Sequence, residues 1–172
     1  MDESDRALAC EQYGLTLSEL QKLSEGCIDA KTRAYCPYSN FRVGCSILLK
    51  DESPAPNKVF TGVNVENAAY PVGTCAERCA FGTAVAEGLR YGDVKAVGVA
   101  TDIEMFCSPC GMCRQFMREF CEGGTPIFMH NKDNKFMVKK LEELLPMSFG
   151  PQHLDQKAEN VANGPIAMRT FV

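Results

Sequence analysis

Between residues 20 and 34 the apolar positions fall at helical spacing. Leu20, Leu23, Cys27, Ala30 and Ala34 share one face, behind a Thr16-Leu17-Ser18-Glu19 box suited to capping a helix. Pro37 marks the end of that helix. Phe41, Val43, Cys45, Ile47 and Leu49 then alternate with Arg42, Gly44, Ser46 and Leu48 in the two-residue period of a strand. Residues 51–57, with two prolines, reverse the chain into a second strand over residues 59–65. So short a connection makes the pair an antiparallel hairpin.

Beyond this hairpin the pattern alternates between helix and strand. Residues 75–87 are Ala-rich and helical up to Gly88, residues 94–101 form a continuous apolar strand, and residues 110–121 are helical again. That alternation predicts α/β architecture. Strands at 126–130 and 135–139 are joined only by Asn131-Lys132-Asp133-Asn134, too short for a parallel crossover, so they run antiparallel. A last helix over 141–145 stops at Pro146, and the polar stretch from Pro151 reads as a surface tail. There is no internal repeat or low-complexity tract.

With 172 residues, 45% of them hydrophobic, the chain can bury one substantial core. The expected organisation is one domain over residues 17–150, an N-terminal extension over 1–16 and a C-terminal tail over 151–172. The net charge of -4 and the lack of any Lys/Arg cluster give no field to gather phosphate backbones, so a small substrate fits better than nucleic acid. Asp2, Glu3 and Asp5 stand where a secretory signal would be basic, and no apolar run reaches membrane-spanning length. The cytoplasm is the expected compartment, with the nucleus also open to it. The 10 cysteines are then reduced thiols rather than a disulfide framework. Cys10, Cys27, Cys36, Cys45 and Cys121 stand singly in apolar surroundings and are expected to fill the core, as is Cys107.

The candidate chemistry lies in Thr74-Cys75-Ala76-Glu77-Arg78 and Ser108-Pro109-Cys110-Gly111-Met112-Cys113-Arg114, both at predicted helix starts. Cys110 and Cys113 can place both sulfurs on one side of a first helical turn, and Cys75 can complete a three-thiolate zinc face with one position open for catalysis. Helix N-termini favour thiolate by about 0.3 to 1 kcal/mol per charge. Three thiolates nevertheless blunt the metal's power to acidify water, which makes Arg78 the candidate to withdraw charge from the sulfurs. Glu77 turns away from the Cys75 sulfur along the helix but can still reach the metal's open position, as a general acid/base must. Cys-x-Glu with Pro-Cys-x-x-Cys is the general pattern of zinc deaminases. A closed structural site that adds Cys79, or a redox pair of Cys110 and Cys113, would leave Glu77 unexplained.

The chain resembles the small homotetrameric cytidine deaminases, of the cytidine/deoxycytidylate deaminase family, from about Leu17 to Leu154. Three further segments carry the likeness: Cys36-Pro37-Tyr38-Ser39-Asn40-Phe41-Arg42-Val43-Gly44, Gly62-Val63-Asn64-Val65-Glu66-Asn67-Ala68-Ala69-Tyr70-Pro71 and Leu144-Leu145-Pro146-Met147-Ser148-Phe149. The resemblance implies a three-layer fold, a mixed five-stranded sheet with helices on both faces whose last two strands form an antiparallel hairpin. It implies that Cys75, Cys110 and Cys113 bind one Zn²⁺ per subunit and that Glu77 shuttles protons. It further implies that Phe41 lines the base pocket, that Asn64 and Glu66 bond ribose hydroxyls from one strand face, and that Ala68, Tyr70 and Phe149 come from neighbouring subunits of a homotetramer. The Ala76 amide, at a helix start, is a donor to the base carbonyl.

The implied reaction is hydrolytic deamination of cytidine and 2'-deoxycytidine to uridine and 2'-deoxyuridine in pyrimidine salvage. Two other readings stand beside it: deamination of another cytosine-bearing small molecule such as a nucleoside antibiotic, and a zinc-stapled module without catalysis, for which Glu77 would be dispensable.

Overall fold

The computed structural model describes residues 3–154. Its centre is a five-stranded sheet in the order β2-β1-β3-β4-β5. These strands are β1 (Val43–Leu49), β2 (Val59–Val63), β3 (Val94–Thr101), β4 (Pro126–His130) and β5 (Phe136–Lys140). β1 pairs antiparallel with both β2 and β3, while β3 and β4 are parallel and β4 and β5 form an antiparallel hairpin. A parallel pair needs a crossover, and helix α4 (Gly111–Arg118) supplies it between β3 and β4. The sheet is mixed, with its last two strands antiparallel as the sequence predicts.

Helices cover both faces. Helix α2 (Leu17–Lys31) opens on the predicted capping box: the Thr16 hydroxyl accepts from Glu19 N at 3.1 Å, and the Glu19 carboxylate accepts from Thr16 N at 2.8 Å. It stops at Lys31, before Pro37 acts, because Thr32 N–H and hydroxyl both turn back to Asp29 O. Leu20 and Leu23 pack against Leu48, Ala96 and Phe128 on that face of the sheet. The opposite face receives α3 (Ala76–Ala86), α4 and the short α5 (Leu141–Leu144). There Ala76, Ala80, Phe81, Met117 and Leu141 bury Cys45, Ile47, Val97, Val99 and Ile127.

Two glycines let the helices lie directly on the sheet backbone. A Cβ on Gly44 would come within 2.1 Å of Cys27 O on α2, and one on Gly62 within 2.3 Å of Ala80 N on α3. With no side chain at residue 62, α3 is seated against β2 at its own first turns.

Residues 1–16, expected as an N-terminal extension, contain α1 (Glu3–Tyr13). Ala9, Cys10 and Leu15 are buried against Leu20, Leu23 and Phe136, and Tyr13 meets Phe128 edge-on with ring centroids 6.0 Å apart. Cys10, Cys27, Cys36, Cys45 and Cys121 are buried thiols, as expected. Pro151 stands in a turn and residues 152–154 are helical and exposed, and the remainder of the predicted tail lies outside the described residues. Among the described residues no helix is long and apolar enough to cross a membrane.

Candidate active site

Cys75 and Cys110 are each the residue just before a helix, in extended backbone with φ of -77° and -65°. Their sulfurs therefore sit at the positive ends of α3 and α4, where unpaired amides favour a thiolate. Cys113, one turn into α4, is fully buried. The three sulfurs lie within 4.8 Å of one another, and those of Cys75 and Cys110 are 3.9 Å apart. Tetrahedral zinc with Zn–S bonds near 2.3 Å holds its sulfurs about 3.8 Å apart, so the donor set fits that ion. Cys79 does not belong to the cluster.

The electrostatics agree with the geometry. The Cys75 thiol is pushed down to about 5, first by a hydrogen bond from Cys113 and then by Arg78. Cys113 is pushed up, because it donates to Cys75 and is buried. Sulfurs this close cannot all carry charge among themselves, whereas a dication relieves the repulsion and takes all three as thiolates. Arg78 Nη2 lies 3.9 Å from Cys75 Sγ.

Glu77 follows on the first turn of α3 and is 4% exposed. Burial raises its carboxyl above the usual glutamate range, and the nearby Cys75 charge adds to the shift. A carboxylate raised in this way holds a proton more tightly than an exposed glutamate does, as a general acid/base requires.

A cavity of about 410 Å³ opens onto this cluster. Glu77, Cys75 and Cys110 line one side, and Phe41, Asn64 and Glu66 line another. The structure thus brings together Cys75, Cys110, Cys113, Glu77, Phe41, Asn64 and Glu66. Ala76 is the buried first residue of α3, and its amide belongs to the turn whose N–H groups have no intrahelical acceptor.

Asn64 and Glu66 differ from their expected setting. β2 ends at Val63, and Val65 makes only isolated bridges, to Tyr35 and Thr74. The reason is the Asn64 side chain, which enters the ladder itself: its Oδ1 accepts from Val43 N at 2.8 Å and its Nδ2 donates to Phe41 O at 2.8 Å. It grips the backbone on both sides of Arg42 and starts the first strand at Val43 rather than Phe41. The Glu66 carboxylate accepts from Tyr38 N at 2.9 Å, from Ser39 N at 3.2 Å and from the Ser39 hydroxyl.

Tyr70, three-quarters exposed, lies in an adjoining cleft of about 330 Å³ that shares Glu66 with the cavity. Ala68 is exposed on the same loop. Phe149 is 58% exposed after α5, its carbonyl held by Gln115 Nε2 at 3.0 Å, and it is not among the residues of either cavity. Sequence reasoning missed Ser39, which lines the cavity and holds Glu66, although it stands two residues before Phe41. Cys107 is half-buried and lines the cavity instead of packing in the core, because residues 102–110 form a loop beside it, outside any helix or strand.

A family model for the cytidine and deoxycytidylate deaminase zinc-binding region matches residues 17–129. The chain belongs to that family. Cytidine deaminases of Sporosarcina psychrophila and Halalkalibacterium halodurans are 38% and 39% identical to it, over 82% and 78% of this chain and 98% and 97% of theirs. The crystal structure of a cytidine deaminase from Burkholderia pseudomallei superposes with a TM-score of 0.69 at 38% identity, covering 75% of this chain and 98% of that one. Within this deaminase family match, both zinc-motif segments and the Phe41 and Asn64 elements fall inside the matched residues, whereas α1 and Phe149 fall outside them.

The contact between Arg78 and the Cys75 sulfur yields a prediction. Replacing Arg78 with Gln is expected to lower kcat and shift the pH–rate profile while the zinc content, measured by mass spectrometry, equals that of wild type. An unmoved profile would contradict a charge-withdrawing role.

Proposed function

We propose that this chain hydrolyses the C4–N bond of cytidine and 2'-deoxycytidine, releasing ammonia and the corresponding uridine in pyrimidine salvage. The observation that carries the reading is the buried carboxyl of Glu77 beside a cluster of three thiols, with Glu77, Cys75 and Cys110 lining one cavity large enough for a nucleoside. Cys75, Cys110 and Cys113 would hold one zinc ion, which when bound supplies the Lewis acidity that makes water nucleophilic at neutral pH.

The chain's own groups carry the rest. The Glu77 carboxylate accepts one proton of the attacking water and passes it to N3 of the pyrimidine as C4 becomes tetrahedral; it then takes the proton of the new C4 hydroxyl and passes it to the amine, which leaves as ammonia while the C4 carbonyl forms. Burial suits it to both directions of transfer. Phe41 packs on the base, and the Ala76 amide donates to the base carbonyl. Asn64 and Glu66 face the sugar: each keeps acceptor capacity beyond the backbone contacts it already makes. Sugar contacts favour ordinary nucleosides over cytosine-bearing antibiotics, and a module without catalysis gives no reason to bury Glu77.

Ala68, Tyr70 and Phe149 are exposed in the single chain. In this reading they complete the cavities of neighbouring copies in a homotetramer. Exposed aromatic side chains are the raw material of such an interface.

Ammonia release from cytidine by wild type and Glu77→Ala tests the catalytic role. The variant is expected to lose roughly 10²- to 10⁴-fold in kcat with its zinc retained, and a zinc-loaded variant with full activity would refute the role. Sedimentation equilibrium is expected to give the mass of four copies. A fully active monomer would refute the shared site.

A further inference from the structure

Arg42 sits between Phe41 and Val43, which both line the cavity, and its Nε lies 2.7 Å from Asp102 Oδ2. The other oxygen of that carboxylate, Oδ1, lies 2.9 Å from Lys31 Nζ. Lys31 Nζ also donates to Thr101 O at 3.1 Å. Lys31 is the last residue of α2 and is 7% exposed, while Thr101 is the last residue of β3 and lines the same cavity. One carboxylate therefore joins the end of a helix, the end of a strand and the turn that carries Phe41. From Asp102 the chain continues directly into the loop that delivers Cys107 and Cys110 to the cavity.

The pair with Arg42 is half open to solvent, and such pairs contribute little to global stability. Its consequence is geometric. The β1–β3 ladder ends at the Val43–Thr101 pair and the Asn64 amide holds the backbone at residues 41 and 43; the Asp102 bridge to Arg42 adds a tie between the turn and the end of β3 beyond that last pair. A reacting base must be placed to within a fraction of an ångström, so slack in one wall weakens productive binding before it touches proton transfer. We propose that Asp102 is a positioning residue: through Lys31 and Arg42 it fixes the Phe41 wall of the cavity against the end of β3. The assignment rests on the reading of this cavity as the nucleoside site.

The test uses the full-length, zinc-loaded chain with cytidine as substrate. Arg42→Gln is expected to raise KM about threefold and Asp102→Asn about tenfold, with kcat within about twofold of wild type and zinc content unchanged. The double variant is expected to match Asp102→Asn alone, because Arg42 acts only through that carboxylate. An unchanged KM in folded Asp102→Asn, or effects that multiply in the double variant, overturns the assignment. Should Asp102→Asn fail to fold because Lys31 is left buried without its partner, Arg42→Gln decides alone. A raised KM at an unshifted urea midpoint then supports the assignment, and an unchanged KM overturns it. Wild-type protein that leaves cytidine intact would instead overturn the reading of the cavity itself.

Discussion

Three sulfurs held within 4.8 Å of one another at the starts of two helices present an electrostatic problem: without a cation they must share protons, whereas a bound cation lets all three ionise. Each helix start favours a thiolate, yet each added thiolate repels the others. The compromise shows in opposite directions at two neighbours, with Cys75 pushed toward its charged form and Cys113 toward its protonated one. A dication would convert that conflict into a binding site, and Arg78, 3.9 Å from the Cys75 sulfur, is placed to moderate the charge that would remain.

The fold is what brings the helix starts together. α3 is seated on β2 through the bare backbone at Gly62, while α4 crosses from β3 to the parallel β4 on the same face of the sheet. Seating both helices on one core fixes the distance between Cys75 and Cys110 with the rigidity of packed side chains rather than of a loop. The cavity wall opposite is made differently. There the turn at residues 38–42 is held by polar side chains, those of Glu66, Asn64 and Asp102, so its placement depends on hydrogen bonds more than on packing.

Much of this was legible in the sequence because its causes are local. The capping box at Thr16, the alternation through residues 43–49 and the four-residue link between the last two strands each fix an element by itself. The zinc motif was equally legible, since helix starts and ligand spacing are encoded within a few residues. What escaped was set by contacts between distant segments. The end of β2 moved because the Asn64 amide bonds residues 41 and 43, not because of any feature of residues 59–65 themselves. α1 carries few apolar residues and buries small ones, Ala9 and Cys10, so its stripe is too weak to read. The Asp102 bridge spans 60 positions to Arg42 and cannot be seen in a linear pattern.

The account stands on a metal held by three thiolates with one corner left for water. X-ray absorption at the zinc edge of the purified protein measures this directly. Three sulfur scatterers at about 2.3 Å and one oxygen at about 2.0 Å are predicted. A shell of four sulfurs, or protein that takes up no zinc, would contradict it.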